Sequence, residues 1–440
     1  MTTDSGSGGS SADVATPDQP PQAEARPIAT ESANRIASLD FIRGLAVMGI
    51  LLANIVAFGQ PFTAYMYPDA FLTPHGDTED AMWIAQFILI DGKMRALFTL
   101  LFGAGLYLFM ERAWARGATR WLQTRRLLWL GLFGLVHYLF IWTGDILFLY
   151  AVSGLLALLF LKLSRRKQFV IGVIGYILGG LIYLGFGFSM EAAADGSFAP
   201  DAEAAAEMQE DMRIGKQTEI DDAAETGELI ASGNYAGYVA KTVAEAPVAI
   251  GAMLLLFWFE TLPLMLIGVA LYRKGMFSGG MGRDELMLWG AILFLLGGAL
   301  TALVAFGVQE DGFTYWGTLS AFLGWSHFPR GMMGVGLLAL LALWAANGSG
   351  WLYDRVSAAG RAAFTNYLGT SVLMLFVFHG WAGGLFGELT RGQLYLVVLA
   401  TWAIMLAWSK PWLDRYRYGP LEWLWRCLTY GKIFPNRRTG

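Results

Sequence analysis

Apolar residues in this chain gather into runs of about 20, the length that carries a helix across a hydrocarbon layer. About ten such runs can be marked, at 36–57, 81–110, 126–142, 146–163, 169–188, 243–272, 286–308, 319–346, 362–378 and 394–408. Each predicts a helix, because in lipid a backbone N–H or C=O must find its partner within its own segment. The short alternating pattern of an outer-membrane barrel is absent from the sequence, and no period of 20 to 50 residues marks a solenoid. Pro329 and Gly331 interrupt the eighth run and threaten to split it. The expected fold class is all-α: a polytopic transmembrane bundle of about ten helices.

Composition agrees with the pattern. Hydrophobic residues make up 55% of 440 and charged residues 15%, with a mean hydropathy of +0.47, so the lipid bilayer is the first expected partner. A net charge of -4 gives no reason to expect nucleic acid. The single cysteine, Cys427, excludes an intramolecular disulfide and argues against a cysteine metal cluster, so no metal is expected. Residues 1–34 are rich in Ser, Gly, Ala, Pro and Thr without an apolar core, which predicts a disordered tail rather than a signal peptide. The transmembrane domain then covers 35–430, and 431–440 forms a C-terminal tail.

Loop charge sets the expected orientation. Arg112, Arg116, Arg120, Arg125 and Arg126 follow the second run, Arg165, Arg166 and Lys167 the fourth, and Arg273, Lys274 and Arg283 the sixth. By the positive-inside rule these connections face the cytoplasm, and both termini join them. The alternate connections are acidic or neutral, with Asp69, Asp77, Glu79 and Asp80 in the first and Glu310 and Asp311 in a later one. A multi-pass protein of the inner (plasma) membrane is expected. The connection 191–241 holds twelve acidic residues against Arg213, Lys216 and, at its last position, Lys241, and reads as an outward, partly helical segment, either a solvated loop or a lid.

Polar residues inside the runs carry the candidate chemistry, since a charge at mid-membrane costs roughly several kcal/mol unless it is paired or faces a wet cavity. Asp40 and Arg43 are three apart and can pair on one helix face. Arg43 and Asn54 are eleven apart, three turns or about 16 Å, so both project from one stripe. Asp91, Lys93 and Arg95 mark either a helix break with snorkelling charges or a cationic lining for an anionic substrate. His137 and Asp145 flank a short turn; a histidine oriented by a carboxylate suits a general base, and an interhelical hydrogen bond is the plainer alternative. Glu260 needs a partner, for which Arg95 or Lys93 would serve, while His327, Arg330 and His379 are further candidates and His75 reads as a loop residue.

The stretch RIASLDFIRGLAVMGILLAN at 35–54 resembles the opening helix of the YeiB-like proteins, domain-of-unknown-function family 418. GKMRALFTLLFGAG at 92–105, His137 with the GDIL of 144–147, FTNYL at 364–368 and YGPLEWLWR at 418–426 are similar to later motifs of that family, so the resemblance spans nearly all of 35–430. Asn366, inside the fourth of these, joins the candidate substrate-contacting residues. More distantly, the first helix resembles the transmembrane acyltransferases of the heparan-glucosaminide and type 3 kinds, which pass an acyl group, commonly from acetyl-CoA, to an acceptor across the membrane. The type 3 pattern implies His ten residues or so after the Arg; here Asn54 stands there, as in the heparan-type relatives, and an asparagine can bind a carbonyl but cannot act as a base.

That resemblance implies an acyltransferase taking acetyl-CoA as co-substrate at the cytoplasmic arginines and serving a small-molecule or sugar acceptor outside. Arg43 and Arg95 would line its inner channel, with Asn54 near the reacting carbonyl and His137 as base. The alternative is a solute transporter or exporter, since polar stripes and broken helices also mark substrate pathways.

Overall fold

The computed structural model describes residues 1, 2 and 37–438, so most of the tail expected over 1–34 lies outside the described residues. Residues 36–440 group as one unit, and no strand occurs among the described residues. In chain order come α1 (Ala37–Gly59), two short 3-10 turns (Phe62–Tyr65 and Pro68–Ala70), α2 (Asp77–Leu89), α3 (Lys93–Ala115), α4 (Arg120–Phe140), α5 (Leu147–Phe160) and α6 (Arg165–Asp195). Then follow α7 (Ala202–Ala231), α8 (Tyr235–Lys274), α9 (Arg283–Glu310), α10 (Tyr315–Ser320), a π-helical turn (Ala321–Trp325) and α11 (His327–Ala345). The chain ends in α12 (Trp351–Arg361), α13 (Ala363–Phe378), α14 (Arg391–Arg415) and α15 (Pro420–Tyr430).

Among the described residues six helices, α1, α6, α8, α9, α11 and α14, are long and apolar enough to cross a membrane, and α12 with α13, bent by 85°, makes a seventh if the pair counts as one span. The chain is a helical membrane protein. Every one of the ten expected segments is helical, but ten full crossings are not reached by length and composition. One reason is visible in α5, whose 14 residues rise about 21 Å against a hydrocarbon layer of about 30 Å.

The structure decides three elements that the sequence left open. The run 81–110 is two helices, because Gly92 takes a left-handed φ of 72° that stops α2 and starts α3. The run 319–346 breaks at the π-helical turn and Ser326, just before Pro329, whose ring then sits in the first turn of α11 where no N–H is missed. The acidic connection 191–241 is almost continuously helical: α6 runs on to Asp195, α7 fills 30 residues, and α8 begins at Tyr235. The C-terminal segment is also not free. Arg417 N–H donates to Asn436 O at 2.7 Å, and Trp423 Nε1 to Phe434 O at 2.7 Å.

Burial sorts the long helices. The apolar stretches of α6 and α9 are only 28% and 22% buried, presenting residues such as Leu178, Leu181, Leu295 and Leu303 outward, whereas those of α1 and α8 are 72% and 61% buried. The central helices approach closely through glycine. A methyl on Gly103 of α3 would strike the Met265 carbonyl, and one on Gly268 of α8 would strike the Leu100 carbonyl, so the two backbones lock reciprocally.

The arginine-rich connections gather at one end of the bundle. There α15 packs on the start of α4, with Trp425 Nε1 donating to Arg126 O at 2.8 Å. At the opposite end α7 is tied down by Gly380 N–H to Ile230 O at 2.9 Å and by Lys216 Nζ to the Tyr67 hydroxyl at 3.0 Å.

Candidate functional site

His137 lies in the last turn of α4, and Asp145 lies in the short link to α5. The structure brings them together: His137 Nδ1 donates to Asp145 Oδ2 at 2.7 Å, with both side chains 0% exposed. Asp145 is fixed from its other side, since Oδ1 accepts from Phe148 N–H at 2.8 Å and so satisfies an orphan donor of the first turn of α5. Gly134, one turn before His137, makes the room; a Cβ there would stand 2.8 Å from Asp145 Oδ1. With the proton on Nδ1, Nε2 carries a lone pair and has no hydrogen-bond partner among the described residues. Two aromatic rings flank the imidazole, Tyr367 of α13 at 5.4 Å and Trp142 at 6.4 Å between centroids.

Asn54 is half-buried on α1 and makes no hydrogen bond to His137 or Asp145. Phe58, four residues on and so on the same face, stacks on Trp142 at 4.0 Å, which aims that face of α1 toward the dyad. At the other end of α1, Arg43 Nη1 donates to Asp40 Oδ1 at 3.0 Å, as the spacing predicts.

A second constellation crosses the middle of the bundle. Glu260 of α8, 2% exposed, accepts from Arg95 Nη2 at 2.8 Å and from Arg330 Nε and Nη2 at 3.2 and 2.8 Å, the latter a bidentate fork. Arg95 is therefore the expected partner, and Arg330 a second one that sequence spacing does not reveal. Arg330 Nη1 donates to Phe322 O at 2.5 Å, a carbonyl of the π-helical turn, so the helix break supplies an acceptor to a buried cation. His327 is locked as well: Nε2 donates to Tyr176 O at 3.0 Å, the Tyr176 hydroxyl donates to His327 O at 2.6 Å, and Nδ1 lies 3.3 Å from Arg330 Nη2.

The third constellation surrounds the α2–α3 break, and here the charges do not snorkel. Asp91 and Lys93 are 6% and 1% exposed. Gln86 Nε2 donates to Asp91 Oδ1 at 3.1 Å, and Lys93 Nζ donates to Phe87 O at 2.5 Å rather than to Glu260. Gly92 rests on Arg330, whose Cδ lies 2.6 Å from where a Cβ would be, so this cluster and the Glu260 cluster adjoin. Gln86, Tyr395 and Arg391 are members that the sequence did not flag: Tyr395 OH and Arg391 Nη1 approach Gln86 Oε1 at 2.8 and 3.4 Å. A glutamine in an apolar run and an arginine at a helix start carry no distinctive spacing signal.

Two candidates stand apart. Asn366 joins helices, with Nδ2 donating to Ala359 O and Ser409 Oγ at 3.0 and 3.1 Å while Oδ1 accepts from Trp408 Nε1 at 2.9 Å. His379 sits among Tyr235, Tyr238 and Trp381, with centroids 5.3 to 6.2 Å away. His75 makes a local contact to Asp80 at 2.7 Å.

At the arginine-rich end the Arg126 guanidinium lies over the rings of Phe109 and Trp425 at 4.6 and 4.2 Å, and Arg426 over Tyr418 at 4.6 Å. Arg426 Nε and Nη2 have no hydrogen-bond partner among the described residues, which gives this end a cationic cradle lined with rings. No group of three or more metal-ligating side chains occurs among the described residues.

Residues 271–432 match the family described as "Protein of unknown function (DUF418)". The chain is 32% identical over 407 residues to "Uncharacterized protein YeiB" of Escherichia coli (strain K12), covering 90% of this chain and 96% of that protein. It is 28% identical over 422 residues to "Uncharacterized protein YxaH" of Bacillus subtilis (strain 168), covering 90% and 94%. No solved structure matches it significantly. This chain belongs to the YeiB-like DUF418 family of helical membrane proteins.

Proposed function

We propose that this protein is a membrane acyltransferase that moves an acyl group from a cytoplasmic thioester donor such as acetyl-CoA to a hydroxyl or amine acceptor on the outward side of the inner membrane. The observation that carries the reading is the buried His137–Asp145 pair at 2.7 Å with Nε2 left as an unpartnered base. In the transfer, Nε2 takes the acceptor proton as the acceptor lone pair attacks the acyl carbon; the carbon–sulfur bond then breaks, and the thiolate leaves with the proton that the imidazolium returns. Asp145 fixes the tautomer and stabilises the transient cation.

The ends of the bundle suit a long donor. His137 lies eleven residues, about 16 Å of helix, beyond Arg126, so phosphates held by Arg126 and Arg426 leave a thioester arm free to run toward the dyad past Arg43 and Asn54. Both α1 and α15 begin at that arginine-rich end, in keeping with cytoplasmic termini. Membranes containing the wild-type chain should transfer label from radioactive acetyl-CoA to envelope material, and His137→Ala should lower that transfer by about 100-fold or more. A wild-type protein that does not bind acetyl-CoA, or a His137→Ala variant of unchanged activity, refutes the reading.

A second reading, solute transport, is favoured by one observation, the π-helical break whose carbonyl bonds Arg330 beside Glu260. Substrate flux in proteoliposomes without any acyl donor would select it.

A further inference from the structure

Arg391 opens α14, where Thr390 and Gln393 form a capping box that fixes the helix start. Its side chain turns inward and is among the largest that are fully buried, at 1% exposure. One face of the guanidinium covers the Phe71 ring at 4.8 Å, and Nη1 reaches Gln86 Oε1 at a long 3.4 Å. Nε and Nη2, both shielded from solvent, have no hydrogen-bond partner among the described residues.

These two N–H groups form the parallel edge of the guanidinium, the one that grips two oxygens of a carboxylate or phosphate at once. The same protein shows the edge in use, where Arg330 presents Nε and Nη2 to the two oxygens of Glu260 at 3.2 and 2.8 Å. Among the described residues no carboxylate is placed to do this for Arg391. The Tyr395 hydroxyl lies beside the guanidinium, with Asp91 and Glu79 farther off, and none of the three accepts from Nε or Nη2. Asp91 Oδ1 accepts instead from Gln86, and Gln86 is itself held by Tyr395 OH at 2.8 Å and by Ala53 O at 3.3 Å. A buried cation whose strongest donor edge is unmatched is unfavourable in a structure where Arg95, Arg330 and Lys93 all meet acceptors.

We propose that Arg391 is the anchor of an oxyanion-binding site at the end of the bundle where α2 meets α14: its Nε and Nη2 donate to two oxygens of a ligand carboxylate or phosphate, with Phe71 covering the guanidinium face. The site is separate from the His137–Asp145 dyad and stands whether or not acyl transfer is the activity.

The test is thermal unfolding of the full-length protein, with inorganic phosphate and with acetate in neutral detergent against chloride at matched ionic strength, and in nanodiscs with and without phosphatidic acid. A bound anion raises the unfolding temperature saturably. The expected result is a saturable rise with at least one of these anions that Arg391→Met abolishes. Arg391→Lys, which keeps the charge and loses the fork, should weaken the anion by about tenfold or more, and it carries the test if Arg391→Met does not fold. A rise with the free anions in detergent assigns the site to a soluble ligand, and a rise only in phosphatidic acid nanodiscs assigns it to a lipid headgroup. No saturable rise in any condition, or a rise that both variants retain unchanged, overturns the proposal.

Discussion

Removal of Glu260 tests the central ion network most directly. Arg330 is buried and uses its whole guanidinium: Nε and Nη2 on Glu260, Nη1 on Phe322 O and Ser326 Oγ, with His327 Nδ1 beside Nη2. Replacing Glu260 by Leu leaves Nε without an acceptor and strands a positive charge in an interior where water is scarce, a loss of about 3–5 kcal/mol. Arg95 adds little to this sum. Its side chain is 24% exposed and can turn to solvent, so its share is about 1 kcal/mol or less. With an unfolding entropy of about 2.1 cal/mol/K per residue, a chain of 440 residues loses about 1 °C per kcal/mol, so the unfolding temperature should fall by roughly 3–6 °C. The assay is thermal unfolding of purified protein in detergent at one fixed scan rate, with Arg330→Met as the second arm of a double-mutant cycle. Arg330→Met in the Glu260→Leu background removes the stranded cation and should recover most of the loss. A Glu260→Leu protein within about 1 °C of wild type, or a double variant no better than the single one, refutes the reading that the loss comes from stranding the buried Arg330 charge.

Two further outcomes follow from packing and capping. Gly268→Val should destabilise by about 1–3 kcal/mol in the same assay, because the new side chain meets the Leu100 carbonyl across the α3–α8 contact, whereas Gly251→Ala, inside α8 with open space around it, should be neutral or stabilise by up to about 1 kcal/mol. Glu422 of α15 caps α13 from outside, accepting from Phe364 and Thr365 N–H at 2.7 and 3.0 Å and from Thr365 Oγ1 at 2.6 Å. Burial holds its carboxyl above the ordinary 4.5 despite these donors. The folded state therefore favours the protonated form, so this group contributes stability that is full below about pH 4.5 and is lost as pH rises through the raised value. Glu422→Gln should flatten that part of the profile of unfolding temperature against pH, and an unchanged slope would show that Glu422 is not its source.

Much of the candidate site could be read along the chain. The Asp40–Arg43 pair follows from helical spacing, and the His137–Asp145 pair from a link too short to separate them. Glu260 announces its need for a cation by standing alone in an apolar run. What spacing could not give was the identity of partners far apart in sequence: Arg330 lies 70 residues from Glu260, and Gln86 meets Tyr395 across 309. Lys93 shows the converse, since a backbone carbonyl six residues away satisfies it and no carboxylate is needed.

The apolar runs alone determined that this is a helical membrane protein, because lipid offers backbone groups no partner outside their own helix. Each of them became helical, while α7, α12 and α15 formed outside them. Continuity was decided by tertiary structure. Gly92 turns left-handed where Arg330 fills the space beside it, and the π-helical turn opens where that same arginine takes a carbonyl. A hydrophobic run records how much apolar surface is available, but whether the helix through it continues or breaks depends on which buried charge, arriving from another part of the chain, needs its backbone.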